Sequence, residues 1–295
     1  MGRVHYCGNM QPMHNRLASI FCVLSILAQP VFAAPQRIVS TNLCTDEYVF
    51  RLVPRNHIAA LSFEATDRHP VVSTIADVAR GMATIHPSGE TVLALKPDLV
   101  VMYQGTMPLL RNDLKRLGVA LLDVPWANSL ADIRTITIML GRKLGAPDKA
   151  EAMLAEMDRK IAAARARAPH PPVRAILYAP NGYAETDAVS EEIMALSGVV
   201  DAAPAGQLTR RGTLPLEALI AAAPELLILG SDVGGSRAEA ILHHPALRAL
   251  AGRTTIVRAS LLPLSCPGPW SLDAAKTFGD LARKSRVLAK RRLSN

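Results

Sequence analysis

Two glutamates, Glu90 and Glu217, open matching segments of this chain, and they are the first residues whose type and spacing suggest a role. An apolar helical turn, a proline, a second acid and an apolar run follow each of them. A carboxylate at a helix start interacts favourably with the helix dipole by about 0.3–1 kcal/mol, so both could be ordinary N-terminal acids. Their equivalent positions favour a second interpretation, in which the pair contacts a partner.

A second set of candidates consists of five aromatic residues and two arginines on loops beside predicted strands: Phe63, Tyr103, Trp126, Tyr183, Trp270, Arg210 and Arg211. Aromatic faces and guanidinium groups are suited to hold a large, partly apolar ligand that carries acidic groups. Trp126 directly follows an apolar run, and Tyr183 lies in a turn after another. Trp270 is equally consistent with packing, and the two arginines with simple exposure.

Motifs for catalysis or metal binding are missing from the sequence. It contains no G-x-S-x-G, H-E-x-x-H or G-x-x-x-x-G-K-[ST] pattern and no C-x-x-C or clustered Cys/His spacing. We therefore predict a protein that is not an enzyme, with no catalytic residue, no bound metal and no cofactor of its own. A secreted hydrolase or a metal-dependent enzyme is the alternative.

The elements that must position the candidates alternate between short apolar runs and helical patterns. Residues 37–40, 57–62, 99–102 and 119–124 are predicted strands in the first half, and 173–179, 226–229 and 254–257 in the second. Strands alternating with helices favour parallel sheets, whose ligands sit at the carboxyl ends of the strands. The predicted fold class is α/β, with two similar lobes, each a mainly parallel sheet flanked by helices.

A long helical pattern separates the two halves. Apolar residues recur at helical spacing through 130–144, and the pattern resumes at Pro147 and continues to Ala168. We predict an N-terminal lobe at 34–146, a linking backbone helix at 147–170 and a C-terminal lobe at 171–295. One long rigid helix joining the lobes would permit only small opening movements.

The first 33 residues predict a secretory signal peptide. Arg3 and Arg16 precede an apolar stretch of 12 residues, and small residues surround Ala33 at the expected cleavage position. The compartment would allow disulfides, and Cys44 and Cys266 are the two cysteines that remain. Because spacing does not fix distance, a bridge between these cysteines and a pair of free thiols both stay open.

Composition agrees with two well-buried lobes and argues against nucleic acid as a partner. Of 295 residues, 49% are hydrophobic and 20% charged, and aromatic residues make up 4%. The net charge of +8 comes from lysines and arginines interleaved with acids along helices, and no groove-reading motif accompanies it. The basic end of the chain, Lys290–Arg292, suits a helix C-terminus, and we attach no function to it.

Several features of the chain together resemble one known family. They are the duplicated glutamate segments, the first strand at 37–40, the segment at 42–46 that starts the next helix, the loop at 266–270 and the helical linker. From Arg37 to about Arg283, the chain is similar to the periplasmic substrate-binding proteins of ABC importers for cobalamin and iron-siderophore complexes, in the class with a rigid helical backbone. The resemblance implies that the lobes clasp one bulky metal chelate and deliver it to a transmembrane permease. It also implies that Glu90 and Glu217 pair with arginines of the permease dimer.

The sequence thus predicts a monomeric periplasmic protein that captures a corrinoid, a ferric siderophore or haem for an ABC permease. A sensory ligand-binding protein on the same scaffold is a further alternative. The residues do not determine which chelate is bound, which permease is the partner or whether the protein imports or senses. They also leave open whether the two cysteines are joined.

Overall fold

A computed structural model describes residues 34–68, 71–184, 187–230, 237–250 and 252–294. The predicted signal peptide, residues 1–33, lies outside the described residues. Within them, two separate parallel sheets form, one in each half of the chain. The prediction of a two-lobed α/β fold is confirmed.

The N-terminal lobe contains five strands: β1 Ile38–Ser40, β2 Ile58–Ser62, β3 Thr84–Ile85, β4 Leu99–Tyr103 and β5 Leu121–Val124. They are all parallel, in the order β3-β2-β1-β4-β5. Helices α1 Leu43–Leu52, α2 Gly89–Ala94 and α3 Pro108–Arg116 connect them. Strand β4 is buried along its whole length, as its continuous apolar run predicts for a central parallel strand.

The C-terminal lobe contains four strands: β6 Val173–Tyr178, β7 Val199–Asp201, β8 Leu226–Gly230 and β9 Thr255–Ala259. Their order is β7-β6-β8-β9, again parallel, which matches β2-β1-β4-β5 of the first lobe. Helices α6 Ala188–Leu196, α7 Leu216–Ala222 and α8 Asp273–Leu293 cover this sheet. The edge strands β3 and β7, of two and three residues, were not predicted from the sequence.

The sequence repeat is also a repeat of local contacts. In the first lobe the Asp98 carboxylate accepts the backbone N–H of Arg37 at 3.0 Å, and the Arg37 side chain donates to the Leu95 carbonyl. In the second lobe the Glu225 carboxylate accepts the N–H of Arg174 at 3.0 Å. The acid after each proline therefore ties the start of one central strand to the next.

Further contacts strengthen this correspondence. The Arg174 side chain donates to the Ala222 carbonyl, as Arg37 does to that of Leu95. Lys96 and Ala223, the residues before the two prolines, share a left-handed backbone, with φ of 45° and 42°. This conformation is uncommon for residues other than glycine, and it ends both short helices in the same way.

Two helices, and not one, connect the lobes. Helix α4, Leu130–Lys143, starts against the C-terminal lobe, where the Leu130 N–H donates to Glu192 of α6 at 3.0 Å. It then packs Leu140 into the N-terminal core. Helix α5, Pro147–Arg167, runs back and buries Met157 in the C-terminal core. The pair forms a hairpin that contacts both cores.

A third connection lies near the end of the chain. Residues 260–272, called here the crossing segment, leave the carboxyl end of β9, pass to the N-terminal lobe and return into α8. Its Leu261 and Leu264 belong to the C-terminal core, whereas Cys266 and Trp270 belong to the N-terminal core. A disulfide joins Cys266 to Cys44 of α1, with Cα atoms 5.0 Å apart.

None of the described helices combines the length and the apolar character needed to cross a bilayer.

Candidate functional site

The candidate site is the region between the carboxyl edges of the two sheets. The chain leaves the carboxyl end of β5 and reaches the C-terminal lobe within six residues, at Leu130. It leaves the carboxyl end of β9 and reaches α1, which itself follows the carboxyl end of β1, at Cys266. Both crossings therefore start from carboxyl edges, and these edges border the interlobe region. This is where parallel sheets bind ligands.

Tyr103 and Trp126 form an aromatic pair on the N-terminal side. Tyr103 ends β4 and Trp126 follows β5, and their ring centroids lie 4.2 Å apart in an edge-to-face arrangement. Trp126 is 56% exposed, and its indole N–H donates to the Gln104 carbonyl at 3.0 Å. An exposed indole fixed by a hydrogen bond and a supporting ring is a prepared surface for a flat apolar ligand.

Tyr103 itself supports this surface and does not face solvent. It is 3% exposed, and burial raises the pKa of its phenol to about 12. A direct contact of Tyr103 with a ligand stays a prediction, and its ring lies beneath the loop that carries Trp126. Its effect on a ligand would act through the position of Trp126.

A second aromatic surface on the N-terminal lobe combines a predicted residue with one that sequence reasoning missed. Phe63 follows β2 and is 38% exposed, and it stacks on His86, which follows β3, at a centroid distance of 4.2 Å. Strand β3 has only two residues, too few for a periodic pattern to reveal it. The local sequence therefore gave no indication that His86 lies at a strand end beside Phe63.

The C-terminal lobe presents Tyr183 on a framework of hydrogen bonds. Tyr183 is 39% exposed and its backbone bridges to Thr213 in the turn at residues 209–213, called here the Thr209 turn. Within this turn the Thr209 and Thr213 hydroxyls lie 2.6 Å apart. Gly212 has φ of +74°, and a Cβ there would come within 2.8 Å of the Tyr183 ring. Glycine therefore permits both the turn and the close approach of Tyr183.

Arg210 and Arg211 occupy the tip of the Thr209 turn. Both are exposed, and in the described parts of the chain neither forms an ion pair. The same turn bridges to the backbone of Tyr183 through Thr213 and packs Gly212 against the Tyr183 ring, so the two guanidinium groups lie on the turn that supports this aromatic residue. Such groups would bind carboxylate or phosphate substituents of a ligand.

Trp270 packs in the N-terminal core, and its role as a ligand contact stays a prediction. It is 6% exposed, its indole N–H donates to the Cys266 carbonyl at 2.9 Å, and its ring meets Tyr48 edge-to-face at 4.7 Å. The guanidinium of Arg51 lies 4.4 Å from the ring centroid. Because α1 covers it, Trp270 has almost no surface to offer a ligand.

A buried carboxyl group lies directly below the carboxyl edge of the N-terminal sheet. Asp46 of α1 is 0% exposed and accepts hydrogen bonds from the backbone and hydroxyl of Ser62, the last residue of β2. Burial raises the pKa of Asp46 to about 7, despite the opposing hydrogen bonds from Ser40 and Ser62. The group is thus partly protonated near neutral pH and positions the ends of the strands.

Glu90 and Glu217 occupy corresponding surface positions. Each is exposed and lies in the first turn of its helix, α2 or α7, and neither forms an ion pair within the described residues. Both helices begin beside carboxyl edges, since α2 follows β3 and the Leu214 carbonyl, two residues before α7, accepts a hydrogen bond from the hydroxyl of Tyr178 at the end of β6. The two carboxylates therefore lie on the side of the molecule where the cleft opens.

No group of three or more histidine, cysteine, aspartate or glutamate side chains in the described ranges is arranged to hold a metal ion. The side chains that could contact a bound molecule at this site are the aromatic residues, His86 and the two arginines named above.

Comparison with known families gives one decisive match. The family model described as periplasmic binding protein matches residues 38–257, which includes the helical hairpin and both sheets except the last two residues of β9. The chain belongs to this family. Among curated proteins no match was found.

Solved structures share the whole fold at low sequence identity. The periplasmic haem-binding protein BhuT, in complex with two haems, is 22% identical, with a TM-score of 0.66 over 85% of this chain and 99% of that one. The vitamin B12-binding protein BtuF of Vibrio cholerae is 16% identical, with a TM-score of 0.62 over 85% and 98%. An Fe³⁺-hydroxamate transport protein from Saccharomonospora viridis is 19% identical, with a TM-score of 0.63 over 84% and 93%.

Family membership confirms the resemblance on which the sequence-based prediction rested. The duplicated segments that begin at Glu90 and Glu217 lie inside the matched range, whereas Trp270 and Cys266 lie beyond it. At these identities the solved structures establish the fold of this binding protein, and its ligand requires a separate argument.

Proposed function

We propose that this chain captures a metal chelate, namely a corrinoid, a ferric siderophore or haem, between its lobes and presents it to the permease of an ABC importer. Membership of the periplasmic binding protein family supports a role in capture. Proteins of the same fold are described as binding haem, vitamin B12 or taking part in Fe³⁺-hydroxamate transport. The protein would act in the periplasm, as a monomer directed there by residues 1–33.

The observation that carries this proposal is that each lobe holds an exposed aromatic ring at its carboxyl edge. Trp126 and Tyr183 are among the few large hydrophobic side chains that are more than a third exposed, and backbone contacts fix both. Each ring therefore presents aromatic surface that a ligand can cover. One ring from each side suits a bulky ligand with apolar faces, and Arg210 and Arg211 suit its acidic substituents.

Delivery would use Glu90 and Glu217. Both lie where the cleft opens, both are free of intramolecular ion pairs in the described chain, and the α4–α5 hairpin that joins their lobes packs into both cores. Two fixed negative charges at the rim would steer docking onto basic residues of a two-subunit permease and set its register.

Ligand capture is tested by purifying the protein without stripping its ligand, recording the visible absorption spectrum and measuring the bound mass by native mass spectrometry. The emptied protein is then titrated with haemin, cyanocobalamin and a ferric trihydroxamate. We expect stoichiometric binding of one of them without chemical turnover. Conversion of the ligand into a product would instead indicate an enzyme.

Docking is tested with the double variant Glu90→Lys and Glu217→Lys. We expect uptake through the cognate permease to fall by at least about tenfold, since like charges at a rim oppose association, while chelate affinity stays unchanged. The matched control, Asp148→Lys with Glu151→Lys, makes the same charge change on exposed acids of α5 and should transport normally. Uptake that survives in the Glu90/Glu217 variant would contradict the docking role and leave sensing as the alternative.

A further inference from the structure

The basic end of the chain, to which the sequence alone assigns no function, belongs to a longer run of cations in helix α8. Residues 281–295 include no aspartate or glutamate, and the cations among them are Arg283, Lys284, Arg286, Lys290, Arg291 and Arg292. Cations in the last turn of a helix interact favourably with the helix dipole, and this effect falls off within that turn. The dipole therefore accounts for residues 290–292 and not for the cations at 283–286.

Contacts place this half of α8 across the amino edge of the C-terminal sheet. The Arg286 side chain donates to the His170 carbonyl, in the segment just before β6, at 2.6 Å. The Ser285 hydroxyl donates to the carbonyl of Glu225, the residue before β8, at 3.1 Å. Because both accepting residues precede their strands, α8 lies at the edge opposite to the carboxyl edge where the ligand cleft opens.

Cations from other segments join those of α8 at this edge. Arg165 and Arg167 at the end of α5 are exposed, as is Arg253 just before β9, and the Arg283 side chain donates to the Arg167 carbonyl at 2.7 Å. Within the described residues, neither these three arginines nor the α8 cations after Arg283 form an ion pair. Like charges on one surface repel each other, and an anionic partner would relieve this repulsion.

An exposed apolar side chain lies among the cations of α8. Val287 is 51% exposed, and its neighbours on a helix surface are the residues three and four positions away. All four of these neighbours are cations, namely Arg283, Lys284, Lys290 and Arg291. A helix that lies in a membrane interface has this pattern, since its apolar side chains enter the boundary with the acyl chains while its cations contact anionic headgroups.

We propose that the outer face of α8 from Arg283 to Arg292, called here the α8 basic face, binds the surface of an anionic phospholipid membrane. An outward-facing helix surface suits an extended anionic partner better than a small anion, which a concave site would enclose. The proposal goes beyond capture and delivery and does not depend on which chelate is bound. It rests only on the proposed periplasmic location, because phospholipid membranes border that compartment.

Membrane contact through this face has a consequence for delivery. The α8 basic face lies at the amino edge of its sheet, whereas Glu90 and Glu217 lie where the carboxyl edges open. A molecule bound to a membrane by the α8 basic face therefore turns both glutamates away from that membrane. Lipid binding and permease docking on one membrane should exclude each other.

The first test measures binding to lipid vesicles. Protein isolated from a periplasmic extract is sedimented with vesicles of phosphatidylglycerol and phosphatidylcholine in equal parts, and with vesicles of phosphatidylcholine alone. We expect binding to the anionic vesicles to be at least about tenfold tighter, and this preference should fall as salt is added, because salt screens the charges. Equal binding to the two kinds of vesicle, or binding to neither, would overturn the proposal.

The second test assigns the binding to the α8 basic face. Lys290→Gln, Arg291→Gln and Arg292→Gln together should weaken binding to the anionic vesicles by at least about tenfold, since each cation near an anionic surface contributes to the affinity. Unchanged binding in this triple variant would overturn the assignment to α8.

The matched control removes the same charge from another surface. Arg142→Gln, Lys143→Gln and Lys149→Gln alter exposed cations around the turn between α4 and α5. Lys149 lies about 27 Å along α5 from Arg167, at 1.5 Å per residue. This control should bind the anionic vesicles like the wild type, and circular dichroism should show both triple variants folded. A loss in the control as large as that in the α8 variant would overturn the assignment, because net charge alone would then account for binding.

A third test separates a membrane from a soluble anionic partner. Val287→Gln keeps every cation and should weaken vesicle binding several-fold, because its side chain no longer enters the interface. Binding of the same variant to polyglutamate, a soluble acidic polymer, should equal that of the wild type. Vesicle binding that Val287→Gln leaves unchanged would overturn the membrane as partner and would indicate an acidic protein or another soluble polyanion instead.

Discussion

The two tryptophans of this chain occupy two regions of the cleft with opposite roles. Trp126, at the rim of the N-terminal lobe, is 56% exposed and supported from beneath by Tyr103. Trp270, in the crossing segment, is 6% exposed and held between Tyr48 and Arg51. Both directly follow a proline, so their local sequences look alike. The contrast teaches that ligand surface and scaffold are distinguished by contacts distant in sequence.

The largest expected difference between the two regions concerns stability. Trp270→Ala should lower the free energy of unfolding by about 3–5 kcal/mol, because it removes a large buried side chain from the junction of the lobes. Trp126→Ala should change it by less than about 0.5 kcal/mol, since an exposed ring contributes little to folding. Urea denaturation of the disulfide-intact proteins measures both. Equal losses of stability in the two variants would mean that the rim of the N-terminal lobe and the crossing segment do not differ in this way.

The pH dependence of stability should also follow the buried region. The pKa of Asp46 is raised from 3.8 to about 7 in the folded protein, so the protonated form is favoured on folding. Its contribution is full below about pH 4 and is lost as the pH rises through 7, by at most about 1.4 kcal/mol per pH unit. In Asp46→Asn this loss should disappear.

The experiment measures unfolding free energies from pH 5 to pH 8. Asp46→Asn should gain stability relative to wild type as the pH increases, whereas the exposed-acid control Glu90→Gln should track the wild type throughout. A constant difference between Asp46→Asn and wild type would show that Asp46 titrates in the same way in the folded and unfolded chains.

For ligand affinity the order should be the opposite, so that a substitution at Trp126 has a larger effect than one at Trp270. Trp126→Ala should weaken chelate binding by about 1–2 kcal/mol, roughly tenfold or somewhat more, because it removes a prepared aromatic surface. Tyr183→Ala should have a similar or smaller effect, and Trp270→Phe, which retains packing, should have almost none. Isothermal titration with the bound chelate measures all three. A larger loss in Trp270→Phe than in Trp126→Ala would contradict the assignment.

Much of the fold was predictable because local sequence patterns, such as apolar runs and helical spacing, determine it. The segments after Glu90 and Glu217 repeat so closely that Asp98 and Glu225 make the same contact with the backbone at the start of β1 and β6. Continuous apolar runs predicted β4 and β8, and helical spacing predicted α4 and α5. Strands as short as β3 and β7 carry too few residues for any period to be visible.

The site was less predictable because its decisive contacts are long-range. The disulfide joins residues 222 positions apart, and the sequence left its formation open. Trp270 is buried by α1, more than two hundred residues earlier in the chain, and Tyr103 by the loop after the next strand. His86 was missed because its partner, Phe63, comes from another strand end. Residue type and strand position predicted Trp126 and Tyr183 as exposed candidates, and their role as ligand contacts stays a prediction.

The most direct test of a chelate clasped between the lobes uses Trp126 as a reporter. In Trp270→Phe, Trp126 is the only tryptophan, and its fluorescence is recorded while haemin, cyanocobalamin or the ferric trihydroxamate is added. The account predicts that the probe which binds quenches this emission and that quenching saturates at one equivalent of chelate. Stoichiometric binding that leaves the Trp126 emission unchanged would contradict it, because the chelate would then lie away from the carboxyl edges of the sheets.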